Sequence, residues 1–244
     1  MRPPTIVKLG GSVVTDKKVA FSYREKAVRG LGKAMAASGL RMVVVHGGGS
    51  FGHAVARKYG LSRETSTSTA GVSETRAAMF ALDAKVCASL SAAGLHPYPF
   101  SPFTLLDKEG GPSFLERLLS AGATPVTFGD VVHDGRGFRI LSGDTMCVEL
   151  AEMLGASRCV MAMDVDGVLD ARGATIESLA EPGEADLPAA LTDATGGISL
   201  KLAEAMRMAS AGTEVRLVSG LRPAEFKRAL LGEKFRGTLV KPPS

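Results

Sequence analysis

The sequence has no tryptophan, only 5% aromatic residues and three cysteines in 244 positions. Cys87, Cys147 and Cys159 are odd in number, far apart and without metal-ligand spacing, which excludes a disulfide framework and a thiolate metal centre. They read as reduced core residues of a cytoplasmic protein, with a catalytic cysteine as the alternative. No apolar run approaches the ~20 residues that span a bilayer. The N-terminal MRPPTIVKLGG has no apolar stretch of the length a cleaved export signal needs, so no membrane partner is expected. Charge of one sign is also scarce. Twenty-nine basic against 25 acidic residues leave a formal +4, spread along the chain without a Lys/Arg block. With so few aromatic residues to interleave, nucleic-acid binding is not expected. A locally positive site for an anionic ligand fits the mild excess.

What is present is 45% hydrophobic residues and 29 glycines. That is enough apolar material for a sizeable core, and without repeats or low-complexity linkers residues 1–244 read as one domain. Strands are predicted at 5–9, 42–45, near Tyr98, and at 124–128, 159–163, 214–218 and 237–240. Helices are predicted at 23–37 with Ser22 as N-cap, and at 52–59, 72–93, 114–121, 144–154, 199–211 and 223–231. Residues 131–141 read as a hairpin turning at Asp134-Gly135, and the polar stretch 62–69 as a mobile connection. Val-rich strands alternating with helices predict a mainly parallel sheet covered on both faces, an α/β sandwich. Ligands of such sheets sit beyond the carboxyl ends of the strands. Gly10-Gly11, Gly47–Gly49, Gly129-Asp130, Asp164–Gly167 and Ser219-Gly220 all follow predicted strands, so they are expected at one edge.

The stretch VVVHGGGSFGH, residues 43–53, is the densest of these. Gly47, Gly49 and Gly52 fit G-x-G-x-x-G, but the acid at the expected distance, Glu74, lies in a helical pattern and not at a strand end. Gly47 and Gly52 also fit the glycines of a P-loop, whose lysine and hydroxyl would be His53 and Ala54; neither group is there. Backbone N–H groups can still approach an anion closely across such glycines, helped by a helix start. His53 at that start is placed to donate to the same anion, the alternative being a tight turn with a solvated histidine. Lys8 stands among apolar residues two positions before Gly10, where an unpaired ammonium would be costly. Lys17 and Lys18 follow in a polar loop, one of them in reach of the same anion or both solvated. Asp144, in SGDT, is a helix cap or an anchor for lysines, or both. MDVDGVL ends a strand in two acids, and TGGISLK sets two glycines before a helix with Lys201 one turn in.

In this order KLGGS, HGGGSFGH, SGD, DVDGVL and TGG-x-x-x-K resemble the amino-acid-kinase superfamily, and KLGGSVVTDK with VHGGGSFGHAVA resembles its isopentenyl phosphate kinase family. The resemblance implies an open αβα sandwich, a homodimer, and transfer of a phosphoryl group from ATP, with Mg²⁺, to isopentenyl phosphate. It implies that Lys8, Gly10, Gly11, Ser12, Gly49, Asp164, Asp166, Gly167, Gly196, Gly197 and Lys201 bind ATP. It gives Gly48, Gly52, His53 and Gly143 the acceptor phosphate, Lys17 a second active-site lysine, and Asp144 the task of organising Lys8 and Lys201. Two positions depart from the family: Thr145, where a second acid is common, and Ile198, where methionine is. Mg²⁺ is expected to be held by ATP oxygens and water. A phosphate monoester is largely dianionic at neutral pH, since its second pKa is about 6. Such a nucleophile needs no general base, which makes His53 a donor. Met79, Phe80, Leu82 and Val86 are candidates for an apolar tail pocket, or ordinary core. A fosfomycin-type kinase, a dinucleotide-dependent oxidoreductase and a non-catalytic nucleotide sensor are the alternatives.

Overall fold

A computed structural model describes residues 3–62, 66, 68–107, 109–133, 135–170, 172–179 and 197–241. Among these, eight strands form one sheet. Its centre is β1 (Thr5–Leu9), β2 (Met42–His46), β4 (Thr124–Phe128), β7 (Arg158–Met163) and β9 (Glu214–Ser219). With β3 (Pro97–Pro99), β8 (Ser178–Leu179) and β10 (Gly237–Val240) the order is β3-β4-β2-β1-β7-β9-β10-β8. Every neighbouring pair is parallel except β9 and β10. Strands β5 (Asp130–His133) and β6 (Phe138–Leu141) form a separate antiparallel hairpin; its predicted turn residue Asp134 lies outside the described residues.

The central strands are apolar at almost every position because both faces are covered. Strand parity then sorts the side chains into two layers. Ile6, Val43, Val45, Cys159 and Met161 pack against α5 (Gly110–Ser120), α6 (Gly143–Leu154) and α7 (Gly197–Ser210). Val7, Leu9, Val44, Val160 and Ala162 pack against α1 (Gly11–Val14), α2 (Glu25–Ala36), α3 (Gly49–Lys58), α4 (Thr69–Ser91) and α8 (Pro223–Leu231). This is the αβα sandwich that the strand–helix alternation predicts.

The differences from the sequence reading are local. Helices α3, α5 and α7 begin at Gly49, Gly110 and Gly197, two to four residues before the predicted starts, and α1 had no helical pattern. Ser22 is not the cap of α2, whose first residue follows Arg24. Its hydroxyl instead accepts from Asp16 N at 2.8 Å and donates to Asp16 O at 3.0 Å, closing the loop before the helix. The polar stretch 62–69 is tied to the hairpin where it is described. Ser66 exchanges both backbone bonds with Phe138 (2.7 and 3.0 Å), and Ile140 N donates to Ser62 O at 2.9 Å. All three cysteines are free, and Cys147 and Cys159 are buried. Burial and the Asp83 carboxylate push the Cys87 thiol up to about 12, which removes it as a nucleophile.

Candidate active site

The parallel strands deliver their carboxyl ends to one edge, and there a cavity of about 920 Å³ opens. Gly10-Gly11, Gly47–Gly49, Gly129-Asp130 and Asp164 line it, as the strand-end rule predicts. Gly220 does not line it; it packs against Val13 and Ala162. The first two glycine turns interlock. A Cβ on Gly11 would lie 2.7 Å from Gly49 N, and one on Gly47 would lie 2.7 Å from Gly11 N. Gly49 itself needs a positive φ of 47°. Thr15 fastens the two turns: its buried hydroxyl donates to Gly11 O (2.7 Å) and accepts from Ser50 N (2.9 Å). The sequence reading missed Thr15, because a hydroxyl four residues after a glycine turn carries no pattern of its own.

Parity places Lys8 with Ile6 on the α6–α7 side of the sheet. Its buried ammonium donates to Asp144 Oδ1 in the first turn of α6, and Lys201 Nζ reaches the same oxygen at 2.8 Å from the second turn of α7. Asp144 does not cap α6. Ser142 does, accepting from Thr145 N at 3.1 Å, which frees the carboxylate for the lysines. Burial pushes the Asp144 carboxyl up, but Lys8 and Lys201 outweigh it and hold the group well below the usual carboxylate range. Burial likewise opposes the charge on Lys8, yet Asp144 keeps its pKa above the ordinary lysine value. For Lys201 burial and the Lys8 charge win over Asp144, and its pKa falls to about 8. A measurable consequence follows if Lys201 must be cationic to hold a polyphosphate. The free enzyme's kcat/KM for ATP should fall above about pH 8. Lys201→Arg should remove that alkaline limb, because guanidinium stays protonated. A pH profile with the limb unmoved in the variant would contradict the assignment.

His53 lies one turn inside α3, which begins earlier than the sequence reading had it, and its ring lines the cavity while remaining open to solvent. Surrounding protein, then Arg57, Lys17 and Lys8, lower its pKa below the ordinary imidazole value. Of the two loop lysines, Lys17 lines the cavity, whereas Lys18 N is bound back to Asp16 Oδ1 at 2.9 Å. Ser12, Gly48, Gly52, Gly143, Asp164 and Gly167 also line the cavity, and Gly197 opens α7. Gly196 lies outside the described residues. Asp166 does not line it: it is held by Arg222 (2.9 Å) and Arg236 (2.7 Å). Both acids of DVDG look alike in sequence, and only the three-dimensional placement of those arginines separates them. Glu74, the candidate ribose acid of a dinucleotide fold, pairs instead with Lys58 (2.9 Å) and the Tyr59 hydroxyl (2.6 Å) across α3 and α4.

One end of the cavity is apolar, formed by Ala56, Met79, Val131, Ile140 and Leu141. Of the four tail-pocket candidates only Met79 belongs to it. Leu82 and Val86 are core, and Phe80 is 48% exposed, packed on Phe128 and under Arg76. Asp130, overlooked in sequence as part of a glycine turn, is buried at this end and paired with Arg76 at 3.1 Å. The cavity thus joins an apolar end to a rim of backbone N–H groups, three lysines and a histidine. That arrangement can hold an anionic group borne on an apolar tail against a second, larger anion.

The sequence matches the amino acid kinase family model over residues 3–219. It is 30% identical to isopentenyl phosphate kinase of Methanothermobacter thermautotrophicus, over 96% of this chain and 98% of that one. It is 37% identical to the Haloferax volcanii isopentenyl phosphate kinase, over 81% and 85% of the two chains. The crystal structure of the Thermoplasma acidophilum isopentenyl phosphate kinase product complex superposes with a TM-score of 0.79 at 30% identity, covering 98% of this chain and all of that one. The chain belongs to the amino acid kinase family and shares nearly its whole length with isopentenyl phosphate kinases of that family.

Proposed function

We propose that the protein transfers the γ-phosphoryl group of ATP to isopentenyl phosphate, forming isopentenyl diphosphate and ADP. The observation that carries this reading is the shared Asp144 oxygen. It holds Lys8 and Lys201 together on the cavity that the interlocked glycine turns and His53 also line. ATP belongs on the side of Asp164, Gly167 and Lys201, over the C-terminal part of the chain. Its phosphates lie along Gly10, Gly11, Ser12 and Gly49, and Gly196 and Gly197 are assigned to the nucleotide site. The acceptor phosphate lies at Gly48, Gly52, His53 and Gly143, with its tail among Met79, Val131 and Ile140. Residues 1–244 act as one domain, as a cytoplasmic homodimer.

The chemistry asks little of the side chains as acids or bases. The acceptor is already a dianion, so these residues have to bring two anions into line and offset their repulsion. Lys8 and Lys201 neutralise charge on the transferring group, Lys17 adds a mobile cation, and backbone N–H groups supply fixed donors. Among the described residues no three acidic, cysteine or histidine side chains converge into a cage. Mg²⁺, bound with the triphosphate, would be held by its oxygens and by water, and would supply further charge neutralisation there.

The direct test is incubation with ATP, Mg²⁺ and isopentenyl phosphate, followed by ³¹P NMR for a new phosphoanhydride. A panel containing fosfomycin and NAD(P)H runs beside it. Diphosphate formation is expected; turnover of fosfomycin but not of isopentenyl phosphate would replace the acceptor assignment. The apolar end gives a second test. Met79→Ala removes the side chain that closes the pocket against Gly48 and Gly52, and should shift preference toward longer prenyl phosphates by about tenfold, the usual worth of one or two methylenes. An unchanged chain-length profile would move the tail elsewhere.

A further inference from the structure

His46 ends β2 immediately before the glycine loop, and parity puts its ring with Val44 on the α4 side of the sheet. The ring is fully buried, with Phe128 tilted against it at 5.5 Å. Nε2 lies 3.1 Å from Asp83 Oδ1 on α4, and Nδ1 lies 3.2 Å from the carbonyl oxygen of Gly47. The Cys87 thiol is directed at the same carboxylate oxygen at 3.7 Å. A polar pair in a dry core is no stabiliser compared with well-packed apolar residues of the same volume. Its value lies in geometry, because breaking one side leaves the other buried and unpaired.

The geometry concerns the acceptor end. Thr75, Met79 and Asp83 are spaced by four along α4 and form one stripe. Thr75 and Met79 line the cavity, and Met79 Sδ seats against the Cα positions of Gly48 and Gly52. Asp83 is one turn further on and grips the residue that launches the glycine loop. At the other end of the stripe Arg76 ties α4 to Asp130 at the start of β5. Neither His46 nor Asp83 lines the cavity. We infer that His46 and Asp83 are a positioning pair for the acceptor. The bond between them sets α4 against the glycine loop, so that Met79 and the loop together define the acceptor pocket. This rests on the assignment of that end of the cavity to the acceptor.

Two substitutions at one position separate the contacts. His46→Gln keeps a donor where Nε2 stands and can still reach Asp83. His46→Asn keeps one where Nδ1 stands and cannot. His46→Asn should raise the KM for isopentenyl phosphate about tenfold and leave the KM for ATP within about twofold, while His46→Gln stays within about threefold of the parent in both. Equal acceptor KM values for Gln and Asn, or an ATP KM that rises in step, would overturn the proposal. Asp83→Ser, which shortens the partner from the other side, makes the same comparison if His46→Asn does not fold. Hydrogen exchange without any acceptor gives an independent readout. The bond-breaking variant should exchange faster at the amides of 47–52 and 79–83 and unchanged at those of 164–170; uniform acceleration would mean a merely structural role. That measurement stands whatever the acceptor is, whereas failure of the parent enzyme to phosphorylate isopentenyl phosphate would defeat only the functional reading.

Discussion

Asp144→Ala will lower turnover by at least about a thousandfold, more than the loss of a single transition-state donor, and will destabilise the fold by about 3–5 kcal/mol. One carboxylate oxygen serves two ammonium groups, both largely buried. Without it Lys8 and Lys201 face each other with no counter-ion, and one of them must lose its proton or swing into the cavity. Either outcome removes a cation from the transferring phosphoryl group. Asp144→Asn separates the charge from the contact, since its amide oxygen still accepts one lysine. Its turnover should fall by about a hundredfold. The sign of the pH effect is also set. Asp144 titrates below its unfolded value of about 3.9, so its contribution to stability is complete above about pH 4 and is lost as the pH falls through the folded value. Acid unfolding curves of the parent and the Asn variant should therefore converge below pH 4. If Asp144→Asn keeps turnover within about threefold, the shared oxygen is not what organises the site.

The same triad shows what a sequence discloses. The apolar run around Lys8 and its position before Gly10 were enough to mark the lysine as one that needs a partner. Asp144, 136 residues away, reads as an anchor for lysines, but its local sequence leaves that role open beside a helix cap. Ser142, two residues before Asp144, performs that cap, and the Asp144 carboxylate is taken by the two lysines. Fold class was legible because buried parallel strands demand unbroken runs such as MVVVH, and helix ends less so. Gly49, Gly110 and Gly197 each begin a helix ahead of the predicted start, because a glycine carries no apolar side chain from which the helical period could be read. Contacts such as Thr15 with Ser50, or His46 with Asp83, join distant segments through residues of no special local pattern. They emerge only when the elements are placed.

His53→Ala should cut turnover by about a hundred- to a thousandfold, the worth of a well-placed donor to a reacting oxyanion, while calorimetry finds ATP binding unchanged. The ring's environment explains both halves. His53 is shared between surrounding protein and the positive charges of Arg57, Lys17 and Lys8, all of which favour the neutral form in the free enzyme. A neutral imidazole has one N–H to give and is cheaper to desolvate than an imidazolium. An arriving phosphate dianion reverses the local field and draws that donor, or a proton, toward itself. A group with this behaviour responds to the acceptor, and no feature of the ATP end depends on it. His53→Gln, which can present an amide donor from the same helix position, should recover about a tenth of the parent turnover or more. Loss of ATP affinity with acceptor affinity retained would place the histidine on the other anion. Equal activity in the Ala and Gln variants would show that its bulk, and not its hydrogen bond, matters.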